Sequence, residues 1–116
     1  MYAEALAHNS IGVAYQQLGA AFASRAQHHH ERHLAVADTA GRFVAHSNLG
    51  LLHSARGDAA RAAQHHRAAL EAAAEMGSTA GQAIAVGNLG LAAVERRDLD
   101  TARACLTRHL ELREAA

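Results

Sequence analysis

Histidine is the residue type in this chain with the clearest capacity for chemistry. The 116 residues include ten histidines, and positions 28–33 read His-His-His-Glu-Arg-His. His29 and His33 stand one helical turn apart, a spacing at which two imidazoles could bind zinc. Zinc usually takes three or four ligands, and only one residue separates Glu31 from His33, whereas helical zinc proteases have two there. We therefore predict no metal site and no cofactor, with a histidine-rich metal-binding helical protein as a minor alternative.

Cys105 and His109 are the second chemical pair, four residues apart on a predicted helix. A thiol beside an imidazole is typical of nucleophilic catalysis, but the same spacing occurs on any helix face and no third group is evident to orient the imidazole. Glycine-rich phosphate loops are absent. We predict that the chain is not an enzyme and has no catalytic residues, and that Cys105 packs in the interior. A lone cysteine also favours a reducing compartment.

The composition predicts the fold class. The apolar half of the chain is mostly alanine, the best helix former, whereas aromatic and β-branched residues are scarce and proline is absent. These features predict an all-α protein. Eleven acidic residues balance eleven arginines, so nucleic acid is not an expected partner. No stretch has the ~20 apolar residues that span a bilayer, and no secretion signal is evident, which predicts a cytoplasmic location without membrane insertion.

The sequence repeats itself. The segment at 47–51, Ser-Asn-Leu-Gly-Leu, returns at 87–91 as Gly-Asn-Leu-Gly-Leu, and a weaker copy, Asn-Ser-Ile-Gly-Val, lies at 9–13. Periods of this size are typical of stacked helix pairs. We predict one domain over 1–116, with units at about 2–38, 39–77 and 78–116. Apolar residues on the predicted terminal helices favour a fragment of a longer solenoid, or helices that bind a partner or a second copy.

Each unit is predicted to hold two antiparallel helices, because apolar residues recur at three- and four-residue spacings. Gly19 and Gly57 suit the end of a first helix, and Asp58 and Asp98 suit the cap of a second. The six helices are predicted at about 2–18, 21–37, 40–56, 58–75, 79–96 and 99–114. Small residues should let paired backbones approach closely: Gly12, Gly50 and Gly90 on the first helices, and Ala26, Ala62 and Ala102 on the second.

The repeated motif is Asn-Leu-Gly, then Gly-Asp, then Ala-x-x-x-His-x-x-x-Leu-x-x-Ala. In the middle unit it comprises Asn48-Leu49-Gly50, Gly57-Asp58, Ala62, His66, Leu70 and Ala73. This pattern resembles the tetratricopeptide repeat (TPR), in the long form found in the Pins/LGN spindle-orientation adaptors and rapsyn. The resemblance implies a right-handed α-solenoid of three helix-turn-helix units, with His30 and His66 packed between helices. It also implies a concave, partner-binding face built from the first helices.

The resemblance also implies which side chains line that concave face. They are Ser10, Val13, Gln16, Gln17, Asn48, Leu51, Ser54, Ala55, Asn88, Leu91, Val94 and Glu95. Asn48 and Asn88 could clamp the peptide groups of a bound segment, or each could tie down a neighbouring helix. Because the chain has no lysine and this set has no arginine, a neutral or mildly basic segment that meets Glu95 is favoured over a C-terminal carboxylate.

Together these patterns predict a non-catalytic scaffold or adaptor that binds a protein or peptide segment in its groove. The alternative is a permanent structural subunit of a larger cytoskeletal or ciliary assembly. The two differ in what the terminal helices should contact, since a structural array would cover their apolar residues.

Overall fold

Six α-helices make up the part of the chain that the structure describes. A computed structural model describes residues 2–115, and the side chains of residues 3–115. The helices are α1 (Tyr2–Gln17), α2 (Ala23–Val36), α3 (Thr39–Ala55), α4 (Ala59–Glu75), α5 (Thr79–Glu95) and α6 (Leu99–Ala115), with a 3-10 turn at Ala20–Phe22. Residues 2–115 contain no strand, so the all-α prediction is confirmed. The predicted domain ends at Met1 and Ala116 lie outside the described residues.

Aspartate side chains cap the second helices of the later pairs. A backbone N–H in the first turn of a helix has no partner within the helix, and a cap supplies one. Asp58 Oδ1 accepts a hydrogen bond from the N–H of Arg61 at 3.0 Å. Asp98 Oδ1 accepts one from the N–H of Thr101 at 3.2 Å. Both predicted caps are confirmed.

Left-handed residues end the first helices. Gly19 and Gly57 have φ angles of 104° and 80°, as expected of glycines that stop a helix. The third unit has Arg97 at the position of Gly57, and its φ is 59°. A side chain with a Cβ is strained in this region. The turn between α5 and α6 therefore adopts the conformation of the turn between α3 and α4, but with arginine in place of glycine.

Replacing Arg97 with glycine is expected to stabilise the chain by about 0.5–1 kcal/mol, because the strain at positive φ disappears. The free energy of unfolding, from urea titration followed by helicity, is the measurement. Arg96 is the control, since its φ of −84° is ordinary and Arg96→Gly should lower stability. Equal effects at the two positions would contradict a role for the φ angle.

The helices pack in chain order. The pairs are α1 with α2, α3 with α4 and α5 with α6, and α3 and α5 also pack on the second helix of the preceding pair. The first helices touch one another, α1 with α3 and α3 with α5. Within residues 2–115, α2, α4 and α6 make no contact with one another. The helices α1, α3 and α5 thus lie side by side, and we call their shared surface the first-helix face.

Paired helices approach closely where a glycine meets a ring. A Cβ at Gly12 would lie 2.9 Å from Nδ1 of His30, and one at Gly50 would lie 2.8 Å from Nδ1 of His66. Both rings are buried, at 0% and 2% exposure, so the packing of these two histidines between helices is confirmed. The predicted close approach is present, but a histidine ring rather than an alanine is the nearest neighbour of each glycine.

Candidate functional site

Side-chain hydrogen bonds cross the first-helix face and link its three helices. Asn48 on α3 donates from Nδ2 to Oδ1 of Asn9 on α1 at 3.1 Å. The Ser54 hydroxyl on α3 donates to the Glu95 carboxylate on α5 at 3.0 Å. Asn48 therefore ties down a neighbouring helix, the second of its two predicted roles. An amide has a further N–H and free lone pairs with which it could also contact a ligand.

Apolar side chains lie among these polar groups. Leu51 on α3 is 47% exposed, and Leu91 and Val94 on α5 are 62% and 55% exposed. Leu51 and Leu91 follow the motif glycine in their units, so the repeat places a leucine at the same point of two adjacent helices. Of the other side chains that were predicted to line the concave face, Ser10 and Gln17 are exposed, and Val13 and Asn88 are half-buried.

Gln16 is engaged inside the first pair. Its Oε1 lies 2.6 Å from Nε2 of His30. An amide oxygen only accepts, so the imidazole carries its proton on Nε2 and donates it to Gln16. Nδ1 of His30 is then a bare lone pair, buried against Gly12 with no partner among the described residues. Gln16 thus helps to fix His30 between α1 and α2.

Two equivalent histidine pairs join the helices of the first and second units, and sequence analysis did not find them. The Nδ1 atoms of His8 and His29 are 3.0 Å apart, as are those of His46 and His65. At this distance one ring donates and the other accepts, so at least one ring of each pair is neutral. Each pair is thus a hydrogen bond that double protonation would break.

A second ring stacks on each pair from the first helix. Tyr15 stacks on His29 with a centroid distance of 5.8 Å, and His53 stacks on His65 at 5.3 Å. His29 and His65 are each held between two side chains seven residues apart, four before and three after the motif glycine. Aligning the chain at Gly12 and Gly50 reveals this spacing. It was the signal that could have predicted both clusters.

The third unit has an aliphatic version of the same cluster. Forty residues after His46, His53 and His65 stand Val86, Ala93 and Cys105. Val86 lies in an apolar cluster with Ala83 and Leu112, and Cys105 packs against that cluster. Cys105 therefore packs against the apolar residues of this cluster as predicted, but it is half-buried rather than in the interior.

Burial keeps the clustered histidines neutral. It is the largest cause that lowers the pKa of His30 to about 4, with His33 and His29 adding repulsion. Burial also lowers the pKa of His65 to about 4, and His46, His53 and His66 act in the same direction. The pKa values of His29, His33, His46, His53 and His66 are lowered as well, each mainly by burial. These rings are therefore packing groups at neutral pH.

The histidine run at 28–33 does not converge on one point. His28 is exposed, His29 is half-buried beside His8, and His30 lies inside the α1–α2 pair. Consecutive helical residues point about 100° apart, which separates the three rings. Among the described residues, no group of three or more His, Cys, Asp or Glu side chains could hold a metal ion.

Cys105 and His109 also point to different partners. Nδ1 of His109 donates to the carbonyl oxygen of Ala83 at 2.8 Å. Burial raises the pKa of the Cys105 thiol, the direction opposite to that of an activated nucleophile. The arrangement suits packing between α5 and α6.

Comparisons of the chain with protein-family models, with curated proteins and with solved structures found no match. The tetratricopeptide resemblance therefore rests on the motifs of the chain itself. No helix within residues 2–115 is both long enough and apolar enough to cross a membrane.

Proposed function

We propose that this chain is a non-catalytic TPR-like scaffold that binds a segment of another protein along the first-helix face. The observation that carries the proposal is the row of exposed apolar side chains there, Leu51, Leu91 and Val94, set among amides and hydroxyls. Exposed apolar groups rimmed by polar ones are typical of protein-binding surfaces. The contacts of α3 with both α1 and α5 support the stacked, solenoid arrangement that such a face requires.

The chemistry of this face favours an extended or helical segment with small apolar anchors. Leu51 and Leu91 repeat at one position per unit, so a bound segment would meet them in succession. Asn48 and Asn88 offer donors and acceptors for its peptide groups. Glu95 supplies the face with a negative charge, which favours a neutral or mildly basic segment. The predicted cytoplasmic location, with a cytoskeletal location as its alternative, remains part of this proposal.

Peptide selection tests the proposal directly. A displayed library of random peptides is selected on the wild-type chain, and the winners are measured by fluorescence anisotropy against Leu51→Ser/Leu91→Ser. We expect the double variant to lose at least tenfold in affinity, because two apolar anchors together contribute more than about 1.4 kcal/mol. Both residues are about half exposed or more, so the fold should tolerate serine.

Leu99→Ser is the matched control. Leu99 is 65% exposed and lies at the start of α6, outside both the first-helix face and the groove that Leu91 and Val94 line, so its loss should leave peptide affinity unchanged. Peptides that bind the wild type and Leu51→Ser/Leu91→Ser equally well would show that the assignment of this face is wrong. Helicity measured on all three chains confirms that each is folded.

A further inference from the structure

One face of α1 carries an apolar stripe that its repeat counterparts bury. The stripe is Ala7, Ile11 and Ala14, spaced four and three residues apart. All three are exposed, and the exposed fraction of Ile11 is 40%. Thirty-eight residues later, Ala45, Leu49 and Leu52 on α3 are only 0%, 1% and 5% exposed.

The residues of α3 and α5 that correspond to this stripe pack on the preceding helix pair. Leu52 on α3 packs against Ala23 and Ala26 of α2, and Arg56 at the end of α3 donates to Ser24 on α2. On α5, Ala85 and Ala92 are 0% and 1% exposed, and α5 packs on α4. The α1 stripe therefore has the composition and spacing of an interface that it does not make within residues 2–115.

The last pair exposes the opposite half of that interface. Leu70 on α4 packs against the cluster that Ala83 and Val86 of α5 form with Leu112, and His66, one turn before it, is buried between α3 and α4. Their counterparts forty residues on, Leu110 and Leu106, are 50% and 59% exposed. Leu106 lines a groove of ≈ 640 Å³ between α5 and α6. No helix among residues 2–115 occupies this groove.

We propose that these two surfaces bind each other between copies of the chain, so that α1 of one copy lies on α5 and α6 of the next as α5 lies on α3 and α4. The second copy is the occupant that the structure supports, because the chain itself carries both halves of an interface that it makes twice internally.

The proposed contact is head-to-tail, since two different surfaces of the chain meet. Each added copy leaves one free stripe and one free groove, so association continues beyond a dimer unless the rotation closes a ring. Leu51 is 47% exposed although α5 packs on its unit, so the part of the first-helix face on the earlier units stays available in such an assembly. Leu91 and Val94 line the same groove as Leu106, so a docked α1 would cover part of the face on the third unit.

Single-surface variants test this arrangement by sedimentation velocity from micromolar to millimolar concentration. The wild type should show an average mass that rises with concentration to more than twice the 12.2 kDa of one chain. Ile11→Asp, which damages the stripe, and Leu106→Asp/Leu110→Asp, which damages the groove, should each remain at the mass of one chain. Mixed together, the two variants should form a dimer that grows no further, because each supplies one intact surface.

Three results would overturn the proposal: a wild-type chain that stays monomeric at millimolar concentration, an Ile11→Asp chain that associates like the wild type, or a mixture that forms no dimer. Leu51→Asp, at an exposed site outside both surfaces, is the control and should associate normally. Circular dichroism shows that each variant is folded. The test is independent of the proposed function, since monomeric Ile11→Asp should still bind the selected peptides.

Discussion

Lowering the pH from neutrality to about 4 is expected to unfold the chain, because burial holds its interior histidines neutral. Burial brings the pKa of His30 and His65 to about 4 and also lowers the pKa of His66. In the unfolded chain the same rings titrate near their ordinary value of about 6.5. The folded chain therefore resists protons that the unfolded chain accepts.

The sign of the effect follows from this difference in proton binding. The stabilisation from a depressed histidine pKa is complete above pH 6.5 and is lost progressively as the pH falls toward about 4. For His30, which is fully buried, the shift corresponds to about 3 kcal/mol. A small domain has only ~5–15 kcal/mol in total, so two or three such groups are enough to unfold it.

Carboxylates oppose this effect without reversing it. Glu95 raises the pKa of His66, Asp38 raises that of His33, and Asp58 raises that of His53. Burial is the larger influence in each case, and all three values stay below the ordinary one. The geometry of His30 also favours its neutral form, because a proton on Nδ1 would be buried without an acceptor among the described residues.

The measurement is the free energy of unfolding in urea at a series of pH values between 7.5 and about 4. His30→Leu/His66→Leu should give a shallower decline, since leucine, which does not titrate, already occupies the corresponding position 106 of the third unit. His28→Gln is the control at an exposed site and should keep the full decline. A wild-type stability that is flat with pH, or a double variant as steep as the wild type, would contradict the prediction.

The helices could be predicted from the sequence because their signals are local. Capping aspartates, glycine stops and three- to four-residue periodicity act within a few positions, and each helix was located to within two residues. Arg97 is the exception that local rules missed, since it takes a left-handed conformation although it is not glycine. The turn at Arg97 matches the turn at Gly57 in the preceding unit. The sequence of the third helix pair alone gives no indication of this conformation.

The histidine clusters were missed because they are formed between helices. The histidines at 28–33 form a linear motif in the sequence. In the fold, His29 pairs with His8 and His30 bonds to Gln16, and these two partners lie on α1. Which residues meet depends on the register of two helices, and that register follows only from aligning the units at their glycines. The same lack of register information explains why Gly50 was matched to an alanine rather than to His66.

Gly50→Ala is expected to destabilise the chain by about 1–3 kcal/mol through overpacking. The new methyl group would lie 2.6 Å from Nε2 and 2.8 Å from Nδ1 of His66. That ring is 2% exposed, so it cannot move aside into solvent. Urea unfolding followed by helicity measures the loss.

Gly90→Ala is the matched control at the same position of the next unit, and the opposite sign is expected. Its nearest neighbour would be Cβ of Cys105 at 3.3 Å, on the exposed α6, which can yield by a few tenths of an ångström. The better helix propensity of alanine, up to about 1 kcal/mol, should then dominate. Equal destabilisation at both positions would show that loss of glycine, rather than the ring, is responsible.

A double-mutant cycle isolates the ring itself. His66→Ala alone should destabilise the chain by leaving a cavity, but it also removes the atoms that the Gly50→Ala methyl would strike. In that background Gly50→Ala should become neutral or stabilising, as at Gly90, so the two substitutions should be non-additive by about 1–3 kcal/mol. Additive effects would mean that Gly50 is needed for some reason other than contact with His66. The close contact of this glycine with the histidine ring would then make no contribution of its own to stability.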